Sequence, residues 1–133
     1  MDNKEIMENR ERIKNAKWCQ RFHIETPDGW LNDPNGLSFY KGQYHVYFQY
    51  SPIAADGHTP RGWGHYHGAD LMHMAYDKAV MMPDIPEDSH GVYSGSAIEN
   101  DGVLHIFYTG NVKMEGDYDY VTCSTVIAGV PRT

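Results

Sequence analysis

Within GWLNDPNGLSFY (residues 29–40), the carboxylate of Asp33 stands between an aromatic–apolar pair, Trp30-Leu31, and a Pro-Asn-Gly run. Pro, Asn and Gly are turn residues, and an Asp beside them ordinarily stays solvated or caps a backbone N–H. A turn does not need Trp30 and Leu31 before it. Further along the chain, Gln49, Trp63, Tyr93 and Ser94 put polar groups close to aromatic ones. A carboxylate held rigidly among aromatic rings suits sugar chemistry. The rings stack on the apolar face of a pyranose or furanose, and amides and hydroxyls read its hydroxyl groups. The carboxylate attacks, or stabilises, an oxocarbenium-like centre.

Other chemistries fit less well. His65 and His67, in HYH, could ligate a metal from one strand face. Zinc sites ordinarily add Cys or further His at short characteristic spacings, so no metal is expected. His45 and His105 alternate within strands and read as packing or surface residues. GVYSGSA lacks the Gly-x-Ser-x-Gly of a nucleophile elbow around both Ser94 and Ser96. Asp117 and Asp119, in GDYDY, lack the remaining ligands and the Gly of a calcium loop. No phosphate-binding or dinucleotide fingerprint occurs, so no cofactor is expected.

The elements that must position these residues are strands. In QYHVYFQY (43–50), Tyr44, Val46, Phe48 and Tyr50 share one face; Gln43, His45, Tyr47 and Gln49 share the other. LSFY and KGQ supply its hairpin partner and turn. GVYSGSAI (91–98) and VLHIFYTG (103–110) repeat the device around an Asp-Gly turn signal. GWGHYHGADLMHMAY (62–76) reads as two shorter strands, and PDIPEDSHG as loop. Residues 3–17 read as a mostly solvated helix with a thin Ile6–Ile13 stripe and a favourable Glu8–Arg12 spacing. The class is all-β, and the recurring hairpins suit propeller blades. A net charge of −7 argues against nucleic acid or an anionic membrane as partner. Two cysteines imply no disulfide framework. No secretory core or membrane-length apolar run is present, so a cytoplasmic protein is expected.

WLNDPNG (30–36) resembles the signature of glycoside hydrolase family 32, the β-fructofuranosidases: invertases, sucrose-6-phosphate hydrolases and fructan hydrolases. FQYSP, WGHYHGADLMHM, YSGSA and IFYTGNVK resemble further family motifs in the family's order, over about residues 21–120. The resemblance implies a five-bladed β-propeller, of which this chain would hold the first two or so blades. It implies Asp33 as the nucleophile of a retaining mechanism. Asn32 and Gln49 would bind the fructosyl unit of a sucrose, sucrose 6-phosphate or fructan substrate. Tyr93 and Ser94 would line the pocket, with Trp63 near it.

The sequence departs from the family pattern in three places. ADGHTP (55–60) stands where many members carry a Trp, and Met74 stands where Trp is usual. A retaining glycosidase also needs a second carboxyl group roughly 5 to 5.5 Å from the first. The Glu-Cys and Arg-Asp-Pro motifs that supply the family's acid/base and stabiliser do not occur, which leaves enzymatic turnover by this chain uncertain. Glu25, Glu87, Glu99 and Glu115 lie in segments that match other parts of the family pattern, so none of them stands in for the acid/base. The organisation expected is a charged helical leader (1–20), a propeller part (21–120) and a divergent tail (121–133) marking a truncation or frameshift. Open strand edges would then favour self-association. The alternative functional reading is a non-catalytic fructosyl-binding remnant, or one subunit of a split enzyme.

Overall fold

The computed structural model describes residues 3–52, 61–112 and 123–126. These run as α1 (Asn3–Lys14), β1 (Trp30–Tyr40), β2 (Gln43–Ser51), β3 (Gly62–Gly68), β4 (Ala75–Met81), β5 (Gly91–Asn100), β6 (Val103–Asn111) and β7 (Cys123–Val126), with a 3₁₀ turn at Pro86–Asp88. Two dipeptides fold the hairpins. Lys41-Gly42 and Asp101-Gly102 have positive φ at both residues, 49° and 78° in the first and 51° and 77° in the second. That is the I′ type of turn, whose twist matches that of the strands it joins. β1 to β4 form an antiparallel sheet in sequence order, and β5, β6 and β7 form a second. The all-β expectation holds, with one short helix.

Strand alternation sorts the first sheet into two aromatic faces. Tyr47 and Trp63 face the second sheet and join Val92 and Tyr108 in the buried core, with Val80, Met81, Leu104 and Ile106 packed around them. Phe48, Tyr50, Tyr66 and Tyr76 form a ring cluster on the opposite face. Burying a ring the size of Trp63, which is fully enclosed, removes roughly 150–250 Å² from water and contributes about 4–6 kcal/mol. A single hydrogen bond nets about 1 kcal/mol, so burial sets the sheet packing and hydrogen bonds set its register.

Three local readings change. Pro34-Asn35-Gly36 is not a turn: it lies inside the continuous strand β1. β1 is an edge strand, where a missing proline N–H costs little, and the extra residues are absorbed as bulges. The partner of β3 starts only at Ala75, because Asp70 Oδ1 accepts the N–H groups of Met72 and His73 (2.8 Å each) and holds the intervening residues in a turn. In α1, Glu8 pairs with Lys4 (3.8 Å) rather than Arg12. Arg10 anchors the helix instead, bonding Asp28 and lying over the Tyr76 ring. The segments 55–60 and 121–122, together with Asp117, Asp119 and Glu115, lie outside the described residues.

Candidate active site

The register of β1 on β2 steps from Leu31↔Tyr50 directly to Pro34↔Phe48. Asn32 and Asp33 thus share the single residue Gln49 across the ladder, in a bulge. β5 carries a matching irregularity: Tyr93 pairs with Thr109 and Gly95 with Tyr108, which leaves Ser94 unpaired. A bulge re-aims side chains away from the regular pleat, and such features recur beside active sites. Asn32, Asp33 and Ser94 are all exposed. Among the described residues the Asp33 carboxylate accepts no hydrogen bond and joins no ion pair.

Both bulges are held from behind by side chains of the first sheet. Gln49 Nε2 donates to the Val92 carbonyl (2.9 Å), and Trp63 Nε1 donates to the Tyr93 carbonyl (3.2 Å). Asn35 Nδ2 donates to the Asp33 carbonyl (2.9 Å), while its Oδ1 accepts from Gly95 N–H (3.0 Å). The backbone of β5 is therefore gripped on both sides of Ser94. Glycine makes the close approach feasible at two points. Gly36 has φ +53°, and a Cβ there would come within 2.7 Å of the Tyr47 ring; a Cβ on Gly95 would run into the Phe107 carbonyl. Arg61 closes the top of the seam. Its guanidinium stacks 4.5 Å from the Trp30 ring centroid and 5.8 Å from that of Tyr93, and its carbonyl accepts Val92 N–H (2.7 Å).

The remaining ionisable candidates are committed elsewhere. Glu25 accepts Gln20 N–H (2.9 Å), and Glu99 accepts Gly102 N–H (2.6 Å) at the hairpin. Glu87 lies exposed on the 3₁₀ turn. His45 Nε2 faces the Tyr40 carbonyl (3.2 Å), which can only accept, so this nitrogen carries the proton and Nδ1 is the acceptor. His65 Nε2 donates to that Nδ1 (3.0 Å), which leaves His65 Nδ1 buried without a hydrogen bond, 3.5 Å from Asp77. Burial, and then the neighbouring His45, push the His65 pKa down to about 4, so the ring is neutral at pH 7. His67 Nδ1 donates to Gln43 Oε1 (2.8 Å). The imidazoles thus stack on one another, and no group of three His, Cys, Asp or Glu suited to a metal occurs among the described residues.

A family model for the glycosyl hydrolases family 32 N-terminal domain matches residues 23–128. The chain belongs to glycosyl hydrolase family 32. It is 46% identical over 93 residues to a sucrose-6-phosphate hydrolase of Klebsiella pneumoniae, covering 70% of this chain and 20% of that protein. It is 41% identical over 124 residues to a sucrose-6-phosphate hydrolase of Bacillus subtilis, covering 92% of this chain and 26% of the relative. The chain thus spans about a quarter or less of the curated relatives it matches. Among solved structures, it aligns with a sucrose-6-phosphate hydrolase from Lactobacillus gasseri at TM-score 0.79 and 30% identity, covering 97% of this chain and 28% of that one. A fructan 1-exohydrolase IIa from Cichorium intybus aligns at TM-score 0.63 and 37% identity, over 67% of this chain and 17% of that one. The two sheets are the opening blades of the family 32 β-propeller.

Family membership sets the expected residues in a clear geometry. Asn32, Asp33 and Ser94 lie at the surface of two adjoining bulges, and Tyr93 is half-buried beside them. Gln49 and Trp63 are buried, 4% and 0% exposed, and spend their N–H groups on the β5 backbone. Asn35 and Arg61 were missed by the sequence reading. Asn35 was visible inside the motif, but as a turn residue; Arg61 carried no local signal at all. Among the described residues no helix is long and apolar enough to cross a membrane.

Proposed function

We propose that this chain carries the nucleophile half of a retaining β-fructofuranosidase acting on terminal β-fructosyl groups of sucrose, sucrose 6-phosphate or short fructans. The observation that carries the reading is the exposed Asp33 carboxylate, without a partner among the described residues and fixed in a bulge beside the Ser94 bulge. An Asp33 oxygen attacks the anomeric carbon of the fructosyl unit. The bond from that carbon to the leaving oxygen breaks, the electron pair goes with the oxygen, and an acid carboxyl protonates it. Water then attacks the same carbon while giving a proton back to the acid's carboxylate, the ester bond breaks, and Asp33 is restored as carboxylate. Asn32, Tyr93 and Ser94 contact the sugar, and Gln49 and Trp63 support the pocket wall through β5.

The acid carboxyl has no counterpart motif in these 133 residues, and general acid catalysis is worth roughly 10²- to 10⁴-fold. β-D-Fructofuranosyl fluoride removes that requirement, because fluoride departs without a proton. Incubated with this donor, the chain should gain one fructosyl unit in intact-mass spectra, with peptide mapping placing the ester on Asp33 and Asp33→Asn abolishing it. A chain that binds fructose by calorimetry yet forms no ester would instead support the non-catalytic binding reading.

A further inference from the structure

We infer that Asn35 is a positioning residue that couples the nucleophile strand to the opposite wall of the pocket. Resting on the assignment of Asp33 as nucleophile, the inference adds how that carboxylate is aimed. Asn35 is 4% exposed, too enclosed for sugar to reach. Its two polar atoms reach two strands at once: Nδ2 to the carbonyl of Asp33 itself, and Oδ1 to the N–H of the residue after Ser94. Those two contacts fall on the bulges of β1 and β5, where regular ladder pairing is interrupted and cannot set the spacing. A primary amide is suited to the task because it donates and accepts from one planar group. Asp lacks the donor, and Ala lacks both. The following residue, Gly36, lets the strand bring Asn35 inward by taking φ +53° against the Tyr47 and Trp63 rings. Asn35 touches no reacting atom; it fixes the distance between Asp33 and Ser94.

The test is the kinetics of ester formation from β-D-fructofuranosyl fluoride by the full chain and its Asn35→Asp and Asn35→Ala variants. Asn35→Asp keeps the acceptor toward Gly95 and loses the donor toward Asp33; Asn35→Ala loses both. Misplacing a reacting group by about 1 Å costs up to ~100-fold, so the rate at saturating donor should fall roughly 10- to 100-fold. The donor concentration at half-maximal rate should stay within about threefold, because the sugar-contacting groups remain. A general loss of fold would lower the reactive fraction of protein instead, read from the final ester yield. If Asn35→Ala does not fold, Asn35→Asp decides. Variants that esterify at the unmodified chain's rate overturn the inference and leave Asp33's role intact. An unmodified chain that forms no ester overturns the nucleophile assignment and this inference with it.

Discussion

The two faces of the first sheet are both aromatic, yet they spend their polar atoms differently. The face toward the second sheet uses Gln49 and Trp63, joined by Asn35, to hold the β5 backbone at Val92, Tyr93 and Gly95. The far face uses Tyr50 to bond Asp28, a carboxylate 1% exposed that also holds Arg10 of α1. One face positions a site; the other ties down the N-terminal segment. The carboxylates tell the same story. Asp28 is buried and bonded, and Asp88 accepts Tyr108 OH (2.9 Å) with the N–H groups of Asp84 (3.0 Å) and Ile85 (3.1 Å). Asp33 alone of these three is exposed, and it has no side-chain partner among the described residues. Enclosing an acid demands partners, and an acid that attacks substrate must be left without them.

The contrast can be broken from either face. Trp63→Ala should have the largest effect, destabilising the chain by about 3–5 kcal/mol through a cavity in the seam and loss of the Trp63 bond to the Tyr93 carbonyl. Chemical denaturation would show it, and an unchanged midpoint would mean that the seam does not hold the two sheets together. Asp28→Ala strands the Tyr50 hydroxyl and the Arg10 guanidinium. Because Arg10 is one-third exposed, the expected cost is about 2 kcal/mol. Hydrogen exchange should quicken in α1 while β5 amides stay protected; equal loss in both would erase the distinction between the faces.

Acid should act mainly through the inner face. His65 has a folded pKa of about 4 against an ordinary 6.5, its ring facing His45, His67, Asp77 and Tyr47. The unfolded chain therefore binds the proton first as pH falls. Stability is full above about pH 6.5 and declines toward pH 4, by on the order of 2–3 kcal/mol from this residue. His65→Phe should flatten that decline in thermal melts run from pH 7.5 to 4.5, and an unchanged slope would assign the acid sensitivity to other groups. Smallest of all, Tyr40→Phe removes the hydroxyl bond to the Gly102 carbonyl (2.7 Å) that links the two hairpin tips. At an exposed site this should cost about 0.5 kcal/mol, and a larger midpoint shift would show the tips to be a third structural link.

Much of this organisation was legible locally. Period-two alternation marked β2 and β6, and Lys41-Gly42 and Asp101-Gly102 marked the hairpin turns, because side-chain direction and turn backbone are set by neighbours in the chain. The motif around Asp33 marked the candidate nucleophile. What the chain alone could not reveal was how Pro34-Asn35-Gly36 would be used. A turn and a bulged edge strand call on the same residues, and the choice falls to the strand that packs alongside. Nor could it show that Gln49, Trp63 and Asn35 turn their amide and indole groups to a backbone 43, 30 and 60 residues away. Hydrogen bonds over such separations form only after aromatic burial has brought the two sheets together, so tertiary packing decided which polar side chains stay exposed at the bulges and which turn inward to hold the β5 backbone.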